Sequence, residues 1–115
     1  MTNEVDYFEI GSPDGAGSQA FYSGLFDWQF GERPAPANYS MIETDKGGSW
    51  DTSAMGGGSW AIFYVHVDDV AAAVTRAESL GATVAMPLIN NGRITFAHLI
   101  DPQGNRFGVW KPNEE

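Results

Sequence analysis

The sequence predicts an α+β fold of two tandem β-α-β-β-β modules, with curved mixed sheets around a cleft and the helices outside. Three observations lead there. An alternating strand, an aspartate and an amphipathic helix follow one another over residues 5–26, and the same order returns over residues 60–80. Asp14 and Asp69 mark the same point in each copy, 55 positions apart. Glycine is frequent, at 14 of 115 residues, while charged residues make up 18%, which favours strands and tight turns over a helical bundle. The expected organisation is a single domain over residues 1–115, with module one at 4–56 and module two at 59–111. Two such modules would close around one shared cavity.

Each element has a local reason. Residues 5–11 alternate, with Phe8 and Ile10 on one side and Tyr7 and Glu9 on the other. Ser12 is placed as the N-cap of the first helix and Pro13 at its first helical position. That helix carries Ala20, Phe21 and Leu25 on one face and ends near Asp27. A short strand begins at Trp28-Gln29-Phe30, and Pro34-Ala35-Pro36 forces a loop. Residues 39–44 are a third strand, residues 45–48 a turn, and residues 50–55 supply a fourth strand. Gly56-Gly57-Gly58-Ser59 reads as a flexible joint.

The second module opens on a strand at residues 60–67. Asp68 or Asp69 caps a helix with Val70, Val74, Ala77 and Leu80 at helical spacing, and Gly81 ends it. Residues 82–86 form a strand stopped by Pro87, and Asn91-Gly92 signals a hairpin into a strand at 94–100. Asp101-Pro102-Gln103-Gly104-Asn105 is a turn, and residues 106–110 are the last strand.

The strand faces carry the functional argument. Phe8, Ile10, Phe63, Val65, Val67, Phe107 and Val109 are apolar and should pack under the helices. The opposite faces carry Tyr7, Glu9, Ile62, Tyr64, His66, Arg106, Gly108 and Trp110. That mixture is too aromatic for a solvated face and too polar for a core, and it suits a small-molecule pocket. The plainer reading is a wetted sheet face or a subunit interface.

Composition removes several classes of function. Fifteen acidic and six basic residues give a net charge of −9, so a phosphate backbone finds no basic stripe and nucleic acid is not the expected partner. Cysteine is absent, which removes disulfides, thiolate nucleophiles and cysteine metal sites. The N-terminus lacks the basic and apolar runs of a signal peptide, and no apolar segment approaches the ~20 residues of a membrane span. A cytoplasmic protein without membrane contact is expected. Gly56-Gly57-Gly58 has neither the lysine nor the following helix of a phosphate loop.

In the order and spacing of its motifs the chain resembles the vicinal oxygen chelate superfamily, the fold of glyoxalase I, bleomycin-resistance proteins and extradiol dioxygenases. The matching residues are Phe8-Glu9-Ile10, Asp14, Ala20-Phe21-Tyr22 and Leu25-Phe26-Asp27-Trp28 in the first half. In the second half they are residues 64–70, Leu80-Gly81-Ala82 and residues 101–107. The resemblance implies where a metal would sit. Metal-dependent members place a histidine in the first strand of each half, seven residues before the aspartate, and here those positions are Tyr7 and Ile62. They place a glutamate seven residues after the Asp of the Asp-Pro turn, and here that is Gly108. Glu43 matches the remaining ligand position. One ligand of four does not hold a divalent cation, so neither metal nor cofactor is expected.

The expected function is therefore metal-independent binding of a small molecule, a cationic or aromatic metabolite, by Tyr7, Glu9, Glu43, Trp50, Tyr64, His66 and Trp110. The tryptophans suit a planar or cationic ligand. Relatives of this kind pair as dimers, so a homodimer is the implied assembly. The alternative is an isomerase, lyase or dioxygenase of the same superfamily, with a metal site rebuilt from His66, His98 and Glu9 or Glu43, or with Glu and His as acid–base groups. A third reading is a regulatory module with a vestigial pocket.

Overall fold

The two halves of the sequence fold as two units. One comprises Tyr7–Ala61, the other Met1–Asp6 with Ile62–Glu115. The computed structural model describes residues 3–31, 39–42, 46–55 and 58–113. Its elements are β1 (Glu4–Ser12), α1 (Gly15–Phe26), β2 (Tyr39–Met41), β3 (Gly47–Asp51), a 3-10 turn at Ser53–Met55, β4 (Trp60–His66), α2 (Val70–Ser79), β5 (Thr83–Asn90), β6 (Ile94–Ile100) and β7 (Arg106–Pro112). The fold is α+β, and in each unit the strands pair both parallel and antiparallel.

In the first unit β3 lies between β2 and β1, antiparallel to β2 and parallel to β1. The short strand expected at Trp28-Gln29-Phe30 is reduced to a single bridge between Phe30 and Ile42. The strand expected at 50–55 begins earlier, at Gly47, and gives way to the 3-10 turn after Asp51. The N-cap of α1 is Asp14, not Ser12: its carboxylate accepts from the Gly17 amide at 2.9 Å. Ser12 instead accepts from the Asp14 amide, one step earlier in the turn. Asp27 ends the helix in the left-handed region at φ 63, which aspartate tolerates better than most residues.

Helix α1 turns a different face inward from the one its apolar residues suggest. Gly15 is buried and Ser18, Gln19, Tyr22 and Ser23 are half-buried, at helical spacing. Phe21 and Leu25 are 60% and 59% exposed. Tyr22 takes the anchoring role, stacking on Trp28 at 5.8 Å, and Trp28 meets Phe8 at the same distance.

The second unit has the order β4-β7-β6-β5, with β4 parallel to β7 and the other neighbours antiparallel. Asp69 caps α2 by accepting from the Ala72 amide at 3.0 Å. Val70, Ala73, Val74 and Ala77 then follow at i, i+3, i+4 and i+7 and pack with Val67, Ala97, Leu99, Val109 and Phe107. Leu80 does not join that face; it is the C-cap and is exposed. Phe63 also leaves the expected core face, 45% exposed, and stacks on Phe107 at 5.9 Å.

Strand β5 continues through Pro87 rather than stopping at it. β5 has a neighbour on one side only, so a missing N–H is tolerated, and the pairing with β6 slips between Met86 and Ile89 around the proline. The hairpin at Asn91-Gly92 forms, with Gly92 at φ 93 and the Asn91 side chain accepting from the Arg93 and Ile94 amides. No described helix is long and apolar enough to cross a membrane.

Leu99 is fully buried at the centre of the α2 core, so Leu99→Ala should cost about 2–5 kcal/mol in urea unfolding. In the turn after β6, the Asp101 carboxylate accepts from the Asn105 and Gln103 amides at 2.9 Å each. The backbone hydrogen bond from Asn105, above all, holds this carboxyl below the usual carboxylate range. A lowered carboxyl stabilises the fold above the unfolded-state value and loses that contribution as pH falls through the folded one. Asp101→Asn should therefore be less stable than the parent at neutral pH, and melting curves should show the gap closing below about pH 4.

Candidate functional site

On the first unit, strand register gathers one aromatic face. Glu9 pairs with Gly48 and Gly11 with Trp50, while Tyr39 pairs with Trp50 across β2 and β3. Tyr7, Glu9, Tyr39 and Trp50 thus share a side. Gly48 makes room: a Cβ there would overlap the Tyr39 phenol. The two tyrosine hydroxyls meet at 2.5 Å, and the Tyr39 ring meets Trp50 edge-on at 5.0 Å. Glu9 is 4% exposed, so this carboxylate is held inside rather than on the wetted surface first considered for it. The Trp50 indole nitrogen is buried and has no acceptor among the described residues. Glu43 lies outside the described residues.

The second unit carries two polar clusters on the face of β4 that holds Ile62, Tyr64 and His66. The first is interior. Tyr64, Gly108 and His98 pair across β4, β7 and β6 in one row. Because Gly108 has no side chain, the Tyr64 ring lies over it and its hydroxyl reaches His98 Nε2 at 2.5 Å. Arg106 Nε donates to His98 Nδ1 at 3.1 Å. A guanidinium only donates, so Nδ1 carries the lone pair and the ring proton sits on Nε2, donated to the Tyr64 oxygen. Tyr64 is 3% exposed and His98 fully buried.

The second cluster is at the surface. His66 Nδ1 lies 3.3 Å from Asp6 Oδ2, with side chains 30% and 33% exposed. Trp110 Nε1 donates to Asp6 Oδ1 at 2.9 Å, and the Trp110 and His66 rings stack at 4.9 Å. The carboxylate is thus fixed by one partner and orients the other. With Nδ1–H directed at Asp6, the neutral ring keeps its lone pair on Nε2.

These arrangements answer whether the residues fit a metal. Ile62 offers no donor and is buried, and the space of Gly108 is filled by the Tyr64 ring. Tyr7 engages Tyr39. Among the described residues no group of three or more His, Cys, Asp or Glu side chains is placed to hold an ion. Tyr7, Ile62 and Gly108 do not fit the superfamily's metal centre, and among the described residues His66 and His98 share no partner: one meets Asp6 at the surface, the other Tyr64 and Arg106 inside.

A family model for the glyoxalase-like domain matches residues 7–110. The chain belongs to that family. This glyoxalase-like domain is 29% identical to the anthracycline biosynthesis protein DnrV of Streptomyces peucetius over 91% of its own length. It spans about half the length of the curated relatives it matches, 46% of DnrV. Among solved structures it resembles a hypothetical protein of Bacillus halodurans, with a TM-score of 0.67, 13% identity and coverage of 98% and 96% of the two chains. It also resembles the Mn(II)-bound glyoxalase of Novosphingobium aromaticivorans, with a TM-score of 0.61, 18% identity and coverage of 96% and 40%. At these identities the structural likeness speaks for the fold.

The glyoxalase-like domain thus brings Tyr7, Glu9 and Trp50 together on one unit and His66 and Trp110 together on the other, and it turns Tyr64 inward. Sequence reasoning missed Asp6 and Tyr39. Strand alternation assigns Asp6 to the side of Phe8 and Ile10, and only the fold brings it to Trp110, 104 residues away. An open groove of about 660 Å³ lies elsewhere on the second unit, beside Asp68, Val70, Asn90, Thr95 and Lys111, and none of the expected site residues lines it.

The Gly108 row makes a direct prediction. Gly108→Ala should cost about 1–3 kcal/mol by overpacking against Tyr64. In a Tyr64→Leu background the same change should cost clearly less, a coupling that a double-mutant cycle in urea reads out.

Proposed function

We propose that this glyoxalase-like domain binds a small, planar, aromatic ligand without the divalent metal of its superfamily. The observation that carries this reading is the Tyr64 ring over Gly108, where a metal-dependent member would project a carboxylate. Two further observations support it. Tyr7, Tyr39 and Trp50 give the first unit an aromatic face with a buried indole N–H, and Trp110 with His66 gives the second a stacked pair. The relatives DnrV and DauV are named for anthracycline biosynthesis. The acidic balance of the chain adds a preference for cationic substituents.

A second reading, an enzyme using acid–base groups, is favoured by one observation, the half-exposed Asp6–His66 pair.

The test is titration of the protein with alizarin, a dihydroxyanthraquinone, followed by tryptophan fluorescence in buffer with and without EDTA. Saturable quenching with the same Kd in both buffers is expected. Quenching that requires added Zn(II), Fe(II), Ni(II) or Mn(II) would overturn the metal-free reading.

A further inference from the structure

We infer that His66 takes the proton of an acidic hydroxyl on the bound aromatic ligand, which is then held as its anion. This rests on the binding reading above and names the ligand group that His66 recognises.

Asp6 anchors the pair. Its Oδ1 is occupied by the Trp110 indole N–H at 2.9 Å, which fixes the carboxylate and turns Oδ2 to His66 Nδ1 at 3.3 Å. A carboxylate accepts and does not donate, so in the neutral ring Nδ1 carries the proton and Nε2 the lone pair. Stacking on Trp110 at 4.9 Å fixes the ring plane. The side chain is 30% exposed, and among the described residues nothing bonds Nε2. The ring, and with it the neutral ring's lone pair, is therefore held in a set orientation on a half-exposed side chain.

A fixed acceptor of this kind selects a ligand group that donates. The stacked indole beside it selects a conjugated ring. A hydroxyl on such a ring meets both demands, and its anion is stabilised by delocalisation. The step balances within the complex. The ligand O–H bond breaks, an N–H bond forms at Nε2, the electron pair stays on the ligand oxygen, and no proton leaves. The imidazolium formed lies between the ligand anion and the Asp6 carboxylate, the charged group that faces it. Asp6 is a positioning residue in this scheme, and His66 is the group that touches the ligand.

The experiment uses alizarin at a pH where the free dye is neutral, in EDTA, with tryptophan quenching reporting binding and visible absorbance reporting ionisation. Readings are taken at saturation of the quench, so weaker binding does not mimic lost proton transfer. The wild type should show the red-shifted band of the anion. Asp6→Asn keeps an acceptor for Trp110 but turns an amide N–H toward His66 Nδ1. That amide reverses the tautomer, makes Nε2 a donor and should abolish the anion band of the bound dye. His66→Gln should abolish it as well. Quenching without a red shift in the wild type, or an anion band kept in both variants, would overturn the inference while leaving metal-free binding intact. No quenching at all overturns both. Long-range proton–nitrogen NMR gives a readout that needs no ligand. It should find His66 protonated at Nδ1 in the wild type and at Nε2 in Asp6→Asn, and an Nε2-protonated wild type overturns the inference.

Discussion

The contact on which the second unit's interior depends is the Tyr64 ring laid across Gly108. It is made possible by an absence, since any side chain at 108 would occupy the same volume. With the ring in place its hydroxyl reaches His98, and His98 in turn has a nitrogen for Arg106. A buried histidine and a half-buried arginine would be costly if left unpartnered. Here each is satisfied by the next, and the chain of bonds ties β4, β7 and β6 together on the face opposite α2. The same device recurs on the first unit, where Gly48 makes room for Tyr39 and so joins Tyr7 to Tyr39.

The Tyr64 ring fills the space over Gly108, the position of a ligand carboxylate in metal-dependent members of the superfamily. A metal-dependent relative has carboxylate and imidazole converging on an ion. This glyoxalase-like domain has Tyr7, Ile62 and Gly108 at three of the corresponding positions, with the Tyr64 ring over the third. The half-exposed pair of Asp6 with His66 sits apart from the buried His98 on the same unit.

Much of the fold was legible because it rests on local rules. The spacing of Val70, Val74 and Ala77 behind Asp69 specifies α2, and Asn91-Gly92 specifies its hairpin. What was not legible depends on neighbours. Pro87 reads as a strand stop unless one knows that β5 has a partner on only one side. The apolar Phe21 and Leu25 read as the inner face of α1, yet the contacts go to Tyr22 because Phe8 and Trp28 stand there. For the site, alternation gives the face of each strand but not the register between strands. Tyr64 and His66 were correctly placed on one face. Only the pairing of Tyr64 with Gly108 and of Gly108 with His98 shows that the first of them points into a relay. The second depends on Asp6, which lies near the start of the chain and meets it through β-sheet geometry that no local pattern encodes.

The central claim is that aromatic packing has replaced the metal, and metal content tests it most directly. The protein would be purified without chelator or affinity tag and analysed by elemental mass spectrometry, then melted with zinc, iron, nickel and manganese added back. The account predicts metal far below one equivalent and no shift in the melting temperature on addition. Near-stoichiometric metal that is lost in His66→Ala or His98→Ala would contradict it.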